Sequence, residues 1–323
     1  MEVGRRRWPL GLAGLLLTAA CGAGTGGLSK PAPPTGAGPT TSAVAAPSGP
    51  YVALGDSYTA GPAIDPQVGT PTGCGRSGVN YPSLVAKELG LAAGPGFADV
   101  SCSGATTADL TGVQRTAGGT NAPQLDALSP ATRLVTLGIG GNDVGFVDVL
   151  TVCAMEDLRH SLFGGSTGAS ADQAPCRTHY TSAEGQDQLR GKVDTAGERL
   201  ADLLREIGRR APQARVYVVG YPALLPADPA DCAQTLGRTV APGDVGFLLA
   251  EERGLNAMLE QRARAAGAVY VDTFAPSVGH DMCSGKETRW IEPPIPAAGS
   301  APVHPNARGQ QGMAAAVLGA VKG

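Results

Sequence analysis

From residue 50 onward the chain alternates short aliphatic runs with longer amphipathic stretches, and this alternation restricts the fold more than any other feature. The runs YVAL (51–54), ADVSCSG (98–104), RLVTLGIGG (133–141), RVYVVGYP (215–222) and AVYVDTF (268–274) read as strands. Between them, YPSLVAKELG (81–90), TAGERLADLLREIGRRAP (195–212), FLLAEERGLNAMLEQRARAAG (247–267) and GQQGMAAAVLGAVK (309–322) read as helices. Gly90 and Pro212 supply stop signals at two of their ends. RVYVV is nearly continuous in apolar residues, as strands buried on both faces are. Strands alternating with helices predict an α/β chain with a parallel sheet of about five strands, covered on both faces in three α/β/α layers. Residues 144–193 show no clear period and carry Cys153 and Cys176, so they are expected to be an irregular insertion stapled over one end.

In such sheets the ligand crevice lies beyond the carboxyl ends of the strands. Three predicted strand ends deliver small or polar groups there: Gly55-Asp56-Ser57, Ser103-Gly104 and Gly141-Asn142. A strand finishing in glycine, an acid and a serine has two readings. It is a tight turn capped by Asp56 or Ser57, or it holds a nucleophile at the sheet edge.

Composition narrows the partners. The 323 residues are 42% hydrophobic and 16% charged, enough apolar material for one large core. Net charge is −3 and the body of the chain has no basic stripe, which argues against nucleic acid. Arg5-Arg6-Arg7 followed by the short apolar run Leu10–Ala20 reads as an export leader, too short for a comfortable membrane span. LLTAAC, ending at Cys21, resembles a bacterial lipobox, with Thr18 where leucine is usual; lipidation at Cys21 is therefore expected, and plain secretion is the alternative. The expected organisation is a leader over 1–21, a flexible Gly/Ala/Pro/Thr/Ser tether over 22–49 and one catalytic domain over 50–323.

Beyond Cys21 there are six cysteines: Cys74, Cys102, Cys153, Cys176, Cys232 and Cys283. An even number in an exported chain implies disulfides, and six cysteines allow 15 pairings. Spacing alone favours neighbours: 74–102, 153–176 and 232–283. None forms a CxxC pair, so no zinc site is expected; no other metal and no cofactor is expected either.

A serine hydroxyl is a weak nucleophile and needs a base within hydrogen-bond reach. Of the four histidines, His304 stands in PVHPNARG just before the last helix, with Pro302 and Pro305 restricting the backbone around it. An acyl-transfer site also needs donors aimed at the developing oxyanion. The N–H groups of Ser57 and Gly104 and the amide of Asn142 are candidates.

GDSYTAG, SGATT, GIGGNDVGF and VHPNARG, in that order, resemble the four blocks of the SGNH (GDSL-type) hydrolases, and the resemblance spans residues 51–323. The six cysteines are similar to those of the secreted actinobacterial lipases and esterases of this family, which carry three sequential disulfides. The resemblance implies a flavodoxin-like sheet order, Ser57 as nucleophile, and Ser57, Gly104 and Asn142 as oxyanion donors. It implies His304 as the base and then the acid, acting on a carboxylic acyl ester: a lipid, a small ester or an acylated glycan. The family commonly has Asp three residues before the histidine, and here that residue is Ala301. A main-chain carbonyl is then expected to orient the imidazole, that of Ala301 or else Ser300, with Glu292, Asp281 and Asp272 as fallback acids. The chain is expected to work as a monomer.

The plainer readings stand beside these. Ser57 is also a plausible helix cap, Gly104 and Asn142 plausible turn residues, and His304 a plausible surface residue. Asp56 and Asp143 are expected to bond the backbone of their own turns. His280-Asp281 is expected to line the crevice or to be structural, and His160 and His179 have no acid at informative spacing. The alternative function is a non-catalytic envelope lipoprotein that uses the same fold to bind.

Overall fold

The computed structural model describes residues 49–323, apart from 93, 164–173, 186, 233–234, 237–239 and 298. The expected leader, Cys21 and all but the end of the tether lie outside the described residues.

In chain order the larger elements are β1 (Tyr51–Gly55), α1 (Ser57–Ala60), α2 (Tyr81–Glu88), β2 (Phe97–Asp99), the hairpin β3 (Gln114–Thr116) and β4 (Gly119–Asn121), and β5 (Leu134–Gly138). Then come α3 (Gly141–Val144), α4 (Phe146–Phe163), α5 (Pro175–Tyr180), α6 (Gln188–Arg210), β6 (Arg215–Val219), α7 (Pro242–Ala265), β7 (Val269–Val271) and α8 (Ala307–Lys322). Five strands form one parallel sheet in the order β2-β1-β5-β6-β7. This is the flavodoxin-like order, in which the chain direction across the sheet reverses between β1 and β5, and a crevice opens beyond the strand ends at that point.

The strands alternate their side chains between two covered faces, as the period of two requires. Tyr51 and Ala53 pack with Tyr81 and Val85 of α2 and with Met313 and Val317 of α8. Val52 and Leu54 belong to the larger cluster with Leu200 and Leu203 of α6 and Leu255 and Leu259 of α7. Each such fully buried aliphatic side chain contributes about 1.5–3 kcal/mol, so the sandwich is held mainly by these two faces. The helix entries are capped by side chains: Asn80 accepts from Ser83 N–H, Asp187 from Leu189 N–H, and Asn306 from Arg308 and Gly309 N–H.

Two expectations need correction. The described part of 144–193 is not irregular, since α4, α5 and the first turn of α6 lie there. In α4 the apolar residues do not keep to one stripe, and Val147, Met155 and Leu158 are exposed, which blurs the period that identifies a helix. The second strand is only Phe97–Asp99, but the chain beyond it stays along β1, with Val100 N–H donating to Ala53 O and Cys102 N–H to Gly55 O. The six cysteines pair as sequence neighbours, 74–102, 153–176 and 232–283. The second bond joins α4 to α5, and the first anchors the loop that carries Ser103 and Gly104.

Candidate active site

At the end of β1 the chain turns sharply. Asp56 is extended and caps α1, its Oδ1 accepting from Tyr58 N–H at 2.9 Å, which places Ser57 as the first residue of the helix. Both residues are buried. Asp56 thus bonds its own turn, as expected, but its second oxygen does something the sequence did not reveal. Oδ2 accepts from the Tyr221 hydroxyl at 2.5 Å, and the same hydroxyl accepts from Gly141 N–H at 2.8 Å. One phenol therefore ties together the ends of β1, β5 and β6. A Cβ on Gly141 would stand 3.0 Å from that phenol oxygen, so the close approach calls for glycine. Burial pushes the Asp56 carboxyl up to about 7, against the opposing pull of its bonds from Tyr221 and Tyr58.

The structure brings His304 to this turn. Its Nε2 lies 2.7 Å from Ser57 Oγ, and its Nδ1 lies 2.6 Å from the carbonyl oxygen of Pro302. A carbonyl only accepts, so Nδ1 carries the proton and Nε2 presents its lone pair to the serine hydroxyl. The expected orienting carbonyl was that of Ala301 or Ser300; it belongs instead to Pro302. The cause is Val303, whose φ of 57° turns the chain left-handed and swings the Pro302 carbonyl back under the ring. For a β-branched residue that conformation costs on the order of 1–3 kcal/mol and persists only where the surroundings over-determine it.

Those surroundings are visible. Val303 N–H donates to Glu292 O at 3.0 Å and Glu292 N–H donates to His304 O at 3.0 Å, while Tyr58 O–H donates to Val303 O at 2.6 Å. The Tyr58 ring also packs against the imidazole, with centroids 5.1 Å apart.

None of the three fallback acids is on Nδ1. Glu292 is taken up by Arg289, Asn306 and Ala297 N–H, Asp281 accepts from Cys283 N–H, and Asp272 accepts from Phe274 and Ala275 N–H. Burial holds the His304 pKa below the usual imidazole value, although the Pro302 carbonyl pulls it the other way.

Of the two further strand ends, that of Asn142 lines one pocket with Ser57, and that of Gly104 follows the segment that Cys102 N–H bonds to Gly55 O. Asn142 Nδ2 donates to Ala105 O at 2.9 Å, which fixes the amide and leaves its second N–H free. Gly104 has φ +78°, a conformation that suits glycine, in a turn closed by the bond from Ala105 N–H to Cys102 O. Among the described residues, no acceptor takes the N–H of Ser57 or of Gly104. Asp143 does not bond its own turn; it accepts from Thr107 N–H at 2.9 Å and from its hydroxyl at 2.5 Å, clamping the loop after Gly104 to α3.

A family model described as GDSL-like lipase/acylhydrolase matches residues 53–311. The chain belongs to that family. It is 40% identical over 274 residues to a protein of Streptomyces coelicolor named Lipase 2, covering 84% of this chain and 85% of that one. It is also similar to the crystal structure of phospholipase A1 from Streptomyces albidoflavus, with a TM-score of 0.65 and 30% identity over 86% of this chain and 100% of that chain. The extracellular lipase from Streptomyces rimosus gives a TM-score of 0.63 at 29% identity over 84% and 99% of the two chains. This GDSL-family chain is a carboxylic ester hydrolase of the lipase/esterase kind.

In this GDSL hydrolase a pocket opens from Ser57 and Asn142, walled by Phe146, Val147, Leu224 and Leu255. Sequence reading missed Tyr221, Tyr58 and Pro302 as parts of the site. Tyr221 carried a signal, since it stands at the carboxyl end of the RVYVVGYP run, at the edge where ligands bind. Tyr58 and Pro302 adjoin Ser57 and His304 closely enough to be examined with them. The other histidines are elsewhere: His280 stacks on Trp290 at 4.9 Å and bonds Thr288 O, and His179 lies 3.6 Å from Glu156.

Proposed function

We propose that Ser57 and His304 act as a catalytic dyad, with the Pro302 carbonyl in the place of a triad acid. The supporting observation is the pair of contacts on one imidazole, Nε2 to Ser57 Oγ and Nδ1 to Pro302 O. Ser57 Oγ attacks the ester carbonyl while Nε2 takes its proton. The oxyanion forms among the N–H groups of Ser57 and Gly104 and the free N–H of Asn142. His304 then gives the proton to the departing alcohol, leaving Ser57 acylated, and water repeats the sequence to release the acid.

The Pro302 carbonyl carries no full charge, so it fixes the tautomer and ring plane but stabilises the imidazolium less than a carboxylate does. The mostly apolar walls of the pocket support carboxylic esters with a mainly hydrocarbon acyl chain longer than acetyl, on a lipid or a small alcohol, ahead of acetylated glycans. Export fits the three disulfides, and lipidation at Cys21 would hold the enzyme at the envelope.

Fluorophosphonate labelling tests the dyad. The folded protein is expected to be labelled on Ser57 and to hydrolyse p-nitrophenyl esters, and Ser57→Ala to do neither. Failure of the native protein to label or to turn over any ester would leave a binding module as the better reading. Replacing Cys21 by Ser is expected to move the protein from the envelope fraction to the medium.

A further inference from the structure

The pocket that opens from Ser57 holds one group the mechanism does not use. Glu252 lies on α7, one turn before Leu255, and both line the pocket. The residue is 1% exposed. One carboxyl oxygen, Oε1, accepts from Leu224 N–H at 2.9 Å, which secures the segment after β6. The other, Oε2, is buried and has no hydrogen-bond partner among the described residues. Anchoring Leu224 needs only one oxygen, and buried polar atoms are rarely left unmatched, because the lost hydration is not returned.

The pocket's position assigns it to one side of the ester. The leaving alcohol must be protonated by His304, and His304 is not among the residues that wall this pocket, whereas Ser57 and Asn142 are. An acyl chain that leaves Ser57 through this pocket passes Leu255 and Glu252. Burial holds the Glu252 carboxyl well above the usual carboxylate range, with Asp281 adding to the effect and the bonds from Leu224 N–H and the Arg253 charge opposing it. A neutral carboxyl whose Oε1 accepts from Leu224 carries its hydrogen on Oε2, as a donor with nothing to donate to.

We propose that Glu252 is a specificity-determining residue whose unpartnered Oε2 donates a hydrogen bond to an oxygen on the substrate's acyl chain, so that the preferred substrates are oxygen-bearing rather than purely aliphatic acyl esters. This rests on the dyad reading above, since it takes Ser57 and His304 to define the acyl side.

The test walks an ether oxygen along the acyl chain. Ether oxygen accepts but cannot donate, and it replaces a methylene with little change of shape. The p-nitrophenyl esters of methoxyacetate, 3-methoxypropionate and 4-methoxybutyrate are compared with butyrate, pentanoate and hexanoate. Each kcat/KM is divided by the same ester's rate with hydroxide to remove intrinsic reactivity. One ether position is expected to exceed its methylene counterpart by about tenfold, the scale of one neutral hydrogen bond.

The ratio is then read within each variant, so that any general loss of activity cancels. Glu252→Gln, whose amide both accepts from Leu224 and donates, is expected to keep the preference. Glu252→Met is expected to lose it. Hydrolysis of the aliphatic esters by the native enzyme with no ether position preferred would overturn this inference and leave the dyad standing, and so would a preference that survives in Glu252→Met. No turnover of any ester would remove both.

Discussion

The turn that carries Ser57 and the turn that carries His304 meet at 2.7 Å, yet they are built in opposite ways. The serine turn is a product of burial. It continues a strand whose residues are all buried, its cap is its own neighbour Asp56, and Tyr221 clamps that cap from across the sheet. The histidine turn lies nearer the surface and is held mostly by main chain. Residues 291–292 and 303–305 pair like a short ribbon, with Ile291 bridged to Pro305, and Val303 is forced left-handed between two flanking contacts. Ser57 is thus fixed by the core, while His304 is fixed by a strained loop strapped to another loop. The first arrangement ties position to stability; the second allows position to be lost while the fold survives.

Four experiments sharpen that contrast. The largest effect belongs to the reacting groups: Ser57→Ala or His304→Ala is expected to lower kcat/KM by about 10⁴–10⁶-fold without moving the thermal midpoint. Asn142→Ala comes next, with a loss of roughly 10²–10³-fold in kcat; a fall confined to KM would remove Asn142 from oxyanion binding.

The two tyrosines then separate the turns. Tyr221→Phe strips a donor from the buried Asp56 carboxyl and is expected to cost about 1.5–3 kcal/mol of stability in denaturant unfolding. Tyr58→Phe releases only the Val303 carbonyl. It is expected to cost about 0.5–1.5 kcal/mol and to lower kcat more than it changes KM, because the strap loosens. The reverse pattern, stability lost at Tyr58 and activity alone at Tyr221, would break the comparison.

The smallest effect is in pH. The lowered His304 pKa keeps the imidazole neutral, and therefore able to act as a base, into mild acid. Activity is lost only as pH falls through that depressed value, so the acid limb of kcat/KM is expected below 6.5, the ordinary imidazole value. A limb midpoint at or above 6.5 would show that the Pro302 contact outweighs burial.

Much of this was legible before the structure. The five strands were readable because parallel buried strands are short, β-branched and bounded by turn residues. The cap Asp56 sits beside the helix it starts, and its bond spans two residues. The helices of 144–193 were not legible, since α4 spreads valine, methionine and leucine around its surface and offers no single apolar face. Nor was Pro302 legible: counting back three residues from His304 leads to Ala301, and only the left-handed Val303 shows that the chain doubles back one residue sooner.

By itself, then, the sequence determined the sheet, the serine at its edge, the histidine between prolines and the pairing of neighbouring cysteines. All of these follow from periodicity and from bonds between residues close in the chain, or from blocks whose order is preserved in a family. The tertiary structure decided which carbonyl holds the imidazole, which phenol clamps Asp56 and which carboxyl is left unmatched in the pocket beside Ser57. Tyr221 is 165 residues from Asp56 and Val303 is 245 residues from Tyr58, and no local rule spans such separations. Those contacts exist only because the sheet order brings β1, β5 and β6 side by side and brings the loop before α8 back to their shared edge.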